Sequence, residues 1–416
     1  MRLTFPVLRI VVGLILLSCA IGGCRDHASS QAQNVPVPQG TSIAAVTAPM
    51  PPGVASELLQ QSWNAYRQRF IQPDGRVIDW EANGRSTSEG QAYAMLRSVL
   101  IDDPQTFGRT LDWAEKNLRR TVNGKPSDTL WAWQWGPDAK KNWGILDRNF
   151  ASDADVDAIT ALILASRRWQ RPDYLRLAQT KLRDLWLLAT VPIGDQRYLL
   201  PGPSEAFQQP DRLVLNPSYF SPAAFRLFAQ VDRAHDWLRL IDSSYQALEK
   251  SAALSAVSLP SDWVALDGKT GQFIELTEPG PLVSRYGFDA YRVWWRIALD
   301  GAWFGEPRAR DYLQRHLGNL QQQWRSQQAI PAQIDLRGNK AASYEATAQY
   351  GTLYAAFRLI DPNTAEELYQ RKLLTQYRNG IWDNDSAYYS QNLVWLGLFP
   401  PSTVSAKLLQ PANVTQ

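Results

Sequence analysis

Cysteine and histidine are scarce in this chain of 416 residues. Its two cysteines, Cys19 and Cys24, both lie close to the N-terminus, and it has only three histidines. The remainder of the chain therefore offers no disulfide, no thiol nucleophile and no thiolate metal site. No HExxH-like spacing predicts a histidine metal site, and the absence of a GxSxG motif disfavours a serine hydrolase triad. We expect neither a metal nor a cofactor.

An excess of charge of one sign is also lacking. The 43 basic and 40 acidic residues leave a net charge of +3, and no basic run or stripe is present. This balance argues against a nucleic-acid partner. Tryptophan, in contrast, is abundant, with 17 residues beside 16 tyrosines. Tryptophans beyond those needed for a core suit stacking on sugar rings, whose faces are apolar and whose edges are polar.

Residues 1–24 predict an export signal. Arg2 and Arg9 supply positive charge, and the apolar run at 10–21 is too short to cross a bilayer comfortably. The run ends in the sequence IGGC, which resembles a bacterial lipobox whose cysteine, here Cys24, is lipidated after cleavage. Ordinary signal cleavage without a lipid is the alternative. We therefore expect an exported protein that is periplasmic, lipid-anchored to the cell envelope, or secreted.

Composition divides the remaining chain into three parts. Residues 25–53 are rich in Ser, Gln, Ala and Pro and predict a flexible linker, 54–400 predict one folded domain, and 401–416 predict a weakly patterned tail. Hydrophobic periodicity and Pro, Gly and Ser breaks predict helices within the domain. They are expected at 54–70, 88–101, 104–120, 152–170, 172–189, 221–231, 235–251, 286–300, 306–326, 343–359, 361–377 and 389–398, with short strands at 195–200 and 272–276.

The predicted helices alternate between two kinds. Some are apolar nearly all round, as in TAQYGTLYAAF, and the helix that follows is amphipathic and charged, as in RARDYLQRHLGNLQQQW. An apolar helix should be buried and a one-sided helix should cover it. Six inner and six outer helices predict an all-α barrel of α-hairpins. The longer loops precede inner helices and should gather at one end: 121–150, 190–220, 252–285 and 327–342.

Acidic residues are concentrated where inner helices begin. Three fall within five residues: Asp153, Asp155 and Asp157. Ser152 is a natural N-cap for that helix, with Asp155 close to a capping-box position, but three acids exceed what capping requires. Glu89 and Asp289 lie near the starts of two more apolar helices. Acids at the mouths of three helices predict a shared pocket.

Carboxyl groups are thus the main reagents that the chain offers. Two of them can break an acetal linkage, one donating a proton to the leaving oxygen and the other activating water or attacking carbon. Neighbouring carboxylates would keep the acid protonated near neutral pH by raising its pKa. Loop 121–150 adds four tryptophans, some predicted to line the cleft mouth as sugar platforms and the others to wedge the loop onto the barrel: Trp131, Trp133, Trp135 and Trp143.

Four segments in order carry a resemblance to a known family. ASDADVDAITALILASRRW resembles the signature of glycoside hydrolase family 8, the endoglucanase family that includes the cellulase of bacterial cellulose-synthesis systems. STSEGQAYAM resembles its proton-donor motif, and NPSYFSP and YGFDAYRVWWR resemble two others. The resemblance spans nearly all of 54–398 and implies an (α/α)6 barrel. The order Ala158-Ile159 and the presence of Trp294 depart from the family pattern and put substrate detail in doubt.

The resemblance implies an exported endo-β-1,4-glucanase that hydrolyses cellulose-type glucan with inversion. Glu89 would be the general acid and Asp289 the general base, while Asp153 would hold the sugar at the scissile position. Because signature-based labels mark Asp153 as the nucleophile, Asp153 remains the alternative base. Substrate-binding roles fall on Trp133, Trp135, Tyr219 and Arg292.

Other functions remain open at this point. A chitosanase or xylanase of the same family, or a non-catalytic glucan-binding protein on the same barrel, is the alternative; a polysaccharide lyase would need a basic cleft. The expected partner is a β-1,4-linked glucan, with the cellulose synthesis machinery as a second candidate. Association with a membrane is expected only through the lipid anchor. This anchor and the lack of a recognisable cellulose-binding module together favour a role in the cell envelope.

Overall fold

The computed structural model describes residues 52–410, except 278 and 281. The predicted signal segment, Cys24 and residues 25–51 of the predicted linker lie outside the described residues, as do residues 411–416. Within the described part of the chain, no helix has the length and apolar character needed to cross a membrane.

Every predicted helix corresponds to a helix of the structure, and the long one predicted at 306–326 is divided at Leu317. The helices are α1 (Pro52–Phe70), α2 (Ser88–Leu100), α3 (Pro104–Asn117), α4 (Ser152–Arg168), α5 (Pro172–Ala189), α6 (Pro222–Val231), α7 (Trp237–Ala252), α8 (Tyr291–Phe304), α9 (Pro307–His316), α10 (Gly318–Gln327), α11 (Thr347–Ile360), α12 (Pro362–Leu368) and α13 (Tyr388–Leu398). Short helical turns occur at Trp80–Ala82, Ser204–Phe207, Pro217–Tyr219, Tyr369–Leu373, Pro401–Thr403 and Ala406–Leu409.

Six of these helices form a closed inner ring. In ring order α2, α4, α6, α8, α11 and α13 contact one another, and α13 returns to α2. Five of them are covered on the outside by the helix that follows in the chain, namely α3, α5, α7, α9 and α12, and α13 is covered by the first helix, α1. The inner helices are buried almost throughout, as an apolar surface on all sides requires. The fold is the predicted all-α (α/α)6 barrel.

Tight reversals connect several inner helices to their outer neighbours. Asp103 caps α3 by accepting a hydrogen bond from the Thr106 N–H at 3.0 Å, and Asp361 caps α12 by accepting one from the Thr364 N–H at 3.3 Å. A proline follows each cap at the first helical position, where its missing N–H costs nothing. These caps fix each outer helix antiparallel to the inner helix before it.

Two glycines allow α11 and α13 to pack backbone against backbone. A Cβ added at Gly351 would lie 2.5 Å from Val394 Cα, and one added at Gly397 would lie 2.0 Å from the Gly351 carbonyl oxygen. No side chain fits at such distances, so glycine is required at this crossing.

The predicted loop at 121–150 is largely a small sheet. This sheet is formed by β1 (Ser86–Thr87), β2 (Arg119–Val122), β3 (Lys125–Pro137) and β4 (Trp143–Phe150), and β3 pairs with the other three strands. The register between β3 and β4 shifts near Gln134. Side chains therefore do not alternate regularly between the two faces of the sheet, as they would in a strand predicted from its sequence. The shorter strands are β5 (Thr190–Ile193), β6 (Gln196–Leu199), β7 (Arg212–Leu215), β8 (Val264–Asp267), β9 (Phe273–Ile274), β10 (Tyr377–Arg378) and β11 (Ile381–Trp382); β6 and β9 match the two predicted strands.

The start of α4 differs from the prediction. Ala151 is the N-cap and makes no side-chain capping bond, whereas Ser152 is already the first helical residue. The Ser152 hydroxyl donates instead to the Leu200 carbonyl oxygen at 2.6 Å. The capping prediction for Ser152 was therefore wrong, because a partner distant in sequence takes its hydroxyl.

The predicted tail from 401 is packed on the barrel as far as Leu409. Leu408 and Leu409 are buried, and Arg167 of α4 donates to the Leu408 carbonyl oxygen at 2.8 Å. This contact places the segment at the C-terminal ends of the inner helices. Two leucines anchor it there, which are too few apolar residues for a pattern to be recognised in the sequence.

Candidate active site

The predicted acids meet at one end of the barrel. Glu89 is the second residue of α2, Asp153 is the second residue of α4, and Asp289 lies two residues before α8. Thr87 caps α2 by accepting a hydrogen bond from the Gly90 N–H at 3.0 Å, which fixes the turn that carries Glu89. All three acids therefore lie at the N-terminal ends of inner helices, as predicted.

One buried arginine of α8 joins the three carboxylates. Arg292 Nη1 donates to Glu89 Oε2 at 2.5 Å and to Asp153 Oδ2 at 2.8 Å. Its Nη2 donates to Asp289 Oδ1 at 2.5 Å, and its Nε donates to the Ser218 hydroxyl at 3.2 Å. Charge-assisted bonds of this kind are strong and directional, so the guanidinium fixes where each carboxylate lies.

The three carboxylates are not equivalent. Glu89 and Asp153 share Nη1 of the arginine, whereas Asp289 binds Nη2 and so lies apart from Glu89. The exposed fraction of the side chain is 13% for Glu89, 3% for Asp153 and 28% for Asp289. Asp289 is thus the carboxylate most open to solvent, and Asp153 is the most enclosed.

Glu89 has the electrostatic character of an acid that stays protonated near neutral pH. Burial, helped by the charges of Asp153 and Asp289, raises the pKa of Glu89 to about 7, although Arg292 acts in the opposite direction. The Tyr388 hydroxyl donates to Glu89 Oε1 at 2.8 Å and also lowers this pKa. Desolvation and like charges therefore outweigh the arginine and the tyrosine.

Asp289 has polar neighbours besides the arginine. Burial and the charge of Asp153 raise the pKa of Asp289, while Arg292 and the side chains of Asn216 and Trp263 lower it. Arg292, Asn216 and Trp263 thus place three donors around Asp289, and all three favour its ionised form.

A further carboxyl, Asp262, supports the segment that carries Asp289. Its Oδ1 accepts a hydrogen bond from the Ala290 N–H at 2.8 Å, and a Cβ added at Gly287 would lie 2.5 Å from its Oδ2. Burial, and then the charge of Asp289, raise the pKa of Asp262 to about 8. A neutral Asp262 next to Asp289 avoids placing two buried negative charges together.

The other two acids of the α4 cluster have different partners. Asp157 binds Arg296 through two hydrogen bonds of 2.7 and 2.9 Å, one helical turn deeper than the Asp153–Arg292 pair. Asp155 Oδ1 accepts a hydrogen bond from the Trp131 N–H at 3.3 Å, and burial raises the pKa of Asp155 to about 7. The cluster therefore serves the pocket, the barrel interior and the sheet, rather than helix capping alone.

Two of the predicted substrate-binding residues reach the carboxylates. Arg292 binds them directly, and the buried Tyr219 ring lies 5.2 Å from the Arg292 guanidinium. Burial and the charge of Asp153 raise the pKa of Tyr219 well above its usual value, so its hydroxyl stays protonated.

The two tryptophans predicted to bind substrate lie farther out. Trp133 is buried with its ring 5.9 Å from the Arg85 guanidinium, and its Nε1 has no hydrogen-bond partner in the described part of the chain. Trp135 packs against Trp113 of α3 and against Trp143. The structure does not bring Trp135 to the carboxylate cluster, and a substrate-binding role for both tryptophans stays a prediction.

Sequence reasoning missed Tyr388, Asp262, Trp263 and Asn216. Tyr388 begins α13, and the predicted common end of the inner helices could have identified it. Asp262 and Trp263 lie in the long segment before α8 and follow no periodic pattern, so the sequence carried no signal for them. Among the described residues, no group of three or more His, Cys, Asp or Glu could hold a metal ion.

The chain is similar to known proteins in sequence and in structure. A family model described as glycosyl hydrolases family 8 matches residues 44–400. An endoglucanase of Xanthomonas axonopodis pv. citri is 38% identical over 253 residues, which cover 60% of this chain and 62% of that protein. An endoglucanase of Cellulomonas uda is 35% identical over 234 residues, or 56% of this chain and 62% of that protein.

The alignments thus span less than two thirds of the length of these two relatives. Among solved structures, an endo-β-1,4-glucanase from Acetobacter xylinum superposes with a TM-score of 0.64 at 25% identity, covering 83% of this chain and 98% of that one.

Proposed function

The chain belongs to glycosyl hydrolase family 8, and from this premise we propose that it is an exported endo-β-1,4-glucanase that hydrolyses cellulose-type glucan with inversion. Glu89 is the general acid and Asp289 the general base. The observation that carries the proposal is the single buried arginine that gathers a protonated acid and two further carboxylates at the open end of the barrel.

The properties of Glu89 support its role as the acid. A carboxyl group with a pKa of about 7 keeps a large protonated fraction near neutral pH and can give its proton to the leaving glycosidic oxygen. The Tyr388 hydroxyl and Arg292 hold the two carboxyl oxygens of Glu89 in one orientation. The acid is therefore preorganised before substrate binds.

The position of Asp289 supports its role as the base. Inverting enzymes need about 6.5–9.5 Å between the two carboxyl groups, so that a water molecule fits between sugar and base. Asp289 binds Nη2 of Arg292, whereas Glu89 binds Nη1, and the Asp289 side chain is the most exposed of the three carboxylates. The side chains of Asn216 and Trp263, together with Arg292, favour the ionised form of Asp289, which a general base requires.

Asp153 is assigned to holding the sugar and to raising the pKa of Glu89. It shares an arginine nitrogen with Glu89 and is 3% exposed, which leaves little room for water between the two carboxylates. Its negative charge beside Glu89 favours the protonated acid.

The test measures reducing-sugar release from carboxymethylcellulose, xylan and chitosan side by side. We expect hydrolysis of carboxymethylcellulose and the α-anomer as the first product of a β-glucan in NMR spectra. A β-anomer appearing first would exclude inversion and transfer the second carboxylate role to Asp153. Preferential cleavage of xylan or chitosan would instead select one of the family alternatives, which the endoglucanase relatives do not favour.

Export and anchoring are part of the same proposal. The N-terminal apolar run and the IGGC sequence ending at Cys24 support a lipid-anchored envelope enzyme. A cell-envelope position would bring the enzyme to newly made glucan, which makes the cellulose synthesis machinery its candidate partner.

A further inference from the structure

A groove on the rim of the barrel contains two exposed tryptophans. Of the tryptophans in the described part of the chain, only Trp80, at 38%, and Trp143, at 53%, are exposed, and both line the same groove of about 430 Å³. The groove is completed by Gln72, Arg76, Ile78, Asn83 and Gly84. Exposed tryptophans gathered on one surface indicate a binding site more strongly than the same residues scattered singly.

Both rings are held in place by arginines. Trp80 Nε1 donates to the Arg69 carbonyl oxygen at 3.1 Å, and the Arg69 guanidinium lies 4.3 Å from the Trp80 ring. The Arg76 guanidinium lies 4.6 Å from the Trp143 ring. Cation–π contacts of this kind order the rings before any ligand arrives, which reduces the entropy lost on binding.

The polar groups of the groove suit a sugar. The side-chain amides of Gln72 and Asn83 make no hydrogen bond with any other described residue, so their donors and acceptors are open to a ligand. Flat apolar rings beside free amides match a pyranose, which has an apolar face and hydroxyl groups around its edge.

The groove lies across strand β1 from the carboxylate cluster. The Thr87 hydroxyl lies 3.4 Å from the Tyr388 hydroxyl on the side of Glu89. The neighbouring Ser86 hydroxyl instead accepts a hydrogen bond from Arg76 Nε at 2.8 Å, at the floor of the groove. Because successive side chains of a strand face opposite sides, the groove is separate from the cleft but only one strand away.

We propose that this rim groove, formed by Trp80 and Trp143 with Gln72 and Asn83, is a second glucan-binding site that holds the polymer beside the active site. The proposal rests on the proposed glucanase function. A polymer bound at the groove presents its neighbouring segments to the cleft at a raised effective concentration, whereas an oligosaccharide too short to reach both sites gains nothing.

The test compares Trp80→Ala/Trp143→Ala with the wild-type enzyme on carboxymethylcellulose and on cellotetraose. We expect KM for the polymer to rise on the order of fivefold, as loss of one or two stacking contacts implies, with kcat unchanged and cellotetraose hydrolysis within about twofold of wild type. Leu238→Ala, which removes a side chain 53% exposed on α7 outside the groove, is the control. Gln72→Leu removes a side-chain amide of the groove but leaves both tryptophans in place, and it should also raise KM for the polymer.

Affinity electrophoresis through gels containing carboxymethylcellulose supplies a binding readout. In a Glu89→Gln background, which prevents cleavage of the gel, the double tryptophan variant should be retarded less than its parent. Unchanged retardation and an unchanged polymer KM in a folded double variant would overturn the proposal. So would a wild-type dimer that the two substitutions dissociate without affecting retardation, because the groove would then be an interface between copies. A wild-type enzyme that cleaves no β-1,4-glucan would contradict the proposed function instead.

Discussion

At the scale of single residues, the charge balance around Arg292 explains the protonation of Glu89. Three carboxylates surround one guanidinium, so full ionisation would leave two uncompensated negative charges in a buried pocket. Protonating one carboxyl removes much of that repulsion. Glu89 is the acid that gains from a proton, because burial and the Asp153 charge on the shared Nη1 nitrogen outweigh Arg292 and the Tyr388 hydroxyl, which both favour its ionised form.

The first prediction concerns the acid itself. Glu89→Gln removes the transferable proton but keeps the side-chain shape, so kcat on carboxymethylcellulose should fall on the order of 10²-fold or more. The melting temperature should stay near that of wild type. Glu275→Gln, at an exposed position, is the matched control and should retain full activity. Near-normal turnover by Glu89→Gln would show that Glu89 is not the general acid.

The second prediction concerns the pH–rate profile. Tyr388 donates a hydrogen bond that lowers the pKa of Glu89, so Tyr388→Phe should raise that pKa further. The alkaline limb of kcat/KM, where the acid loses its proton, should therefore move to higher pH. Tyr198→Phe, on β6, serves as the control and should leave the limb unchanged. A limb displaced to lower pH would contradict the hydrogen-bond assignment.

The third prediction concerns stability. The pKa of Glu89 is raised from 4.5 to about 7 in the folded protein, so the folded state binds this proton more tightly than the unfolded state. The resulting stabilisation is complete below pH 4.5 and is lost as pH rises through 7. Glu89→Gln, which cannot ionise, should reduce the fall in unfolding free energy between pH 5 and pH 8 by on the order of 1–3 kcal/mol in urea titrations. An equal fall in both proteins would mean that Glu89 titrates normally.

The residues of the site divide by how far the sequence could predict them. Glu89, Asp153 and Asp289 could be predicted from the sequence, because each lies near the start of an apolar helix, where an acidic residue stands out from its neighbours. Asp262 was not, because its role depends on a hydrogen bond to Ala290, 28 positions away along an irregular segment. Tyr388 contacts Glu89 across 299 positions, and only ring closure brings them together.

At the scale of elements, the helices were predictable and the sheet was not. Proline, aspartate caps and a repeat of 3.6 residues mark the helices locally, so both kind and approximate extent could be inferred. In β3 the register shifts around Gln134, so Trp133 and Trp135 do not share surroundings as an ideal strand would require. Which tryptophans of β3 lie in the interior and which lie at the rim is therefore decided by tertiary packing and not by strand alternation.

The fourth prediction concerns the crossing of α11 and α13. Gly351→Ala places a methyl group 2.5 Å from Val394 Cα, and two helix backbones cannot move apart without disturbing the ring. We expect a loss of unfolding free energy of about 1–3 kcal/mol, seen as a lower melting temperature. Gly318→Ala is the control, since nothing lies within 4 Å of its added Cβ. There the change should be neutral or slightly stabilising, and a similar loss at both positions would refute the packing argument.

At the scale of the whole molecule, the barrel has two unlike ends. The three carboxylates lie where inner helices begin. Ser56 near the start of α1 lines a hollow together with Leu100, Arg168 and Phe399, which lie where inner helices end. Helix α1 therefore begins at the end of the barrel opposite the active site.

This polarity leads to the last prediction, which concerns Cys24. If Cys24 carries the lipid, the linker attaches the end of the barrel opposite the three carboxylates to the membrane and leaves the cleft facing away from it. Wild type should then incorporate a labelled fatty acid and sediment with membranes, while Cys24→Ser should do neither. Because the cleft is on the far side, membrane-bound wild type and soluble Cys24→Ser should hydrolyse carboxymethylcellulose with kcat/KM values within about twofold of each other. Strong inhibition of the bound form, relieved by Cys24→Ser, would mean that the membrane obstructs the cleft and that the linker does not orient the barrel in this way.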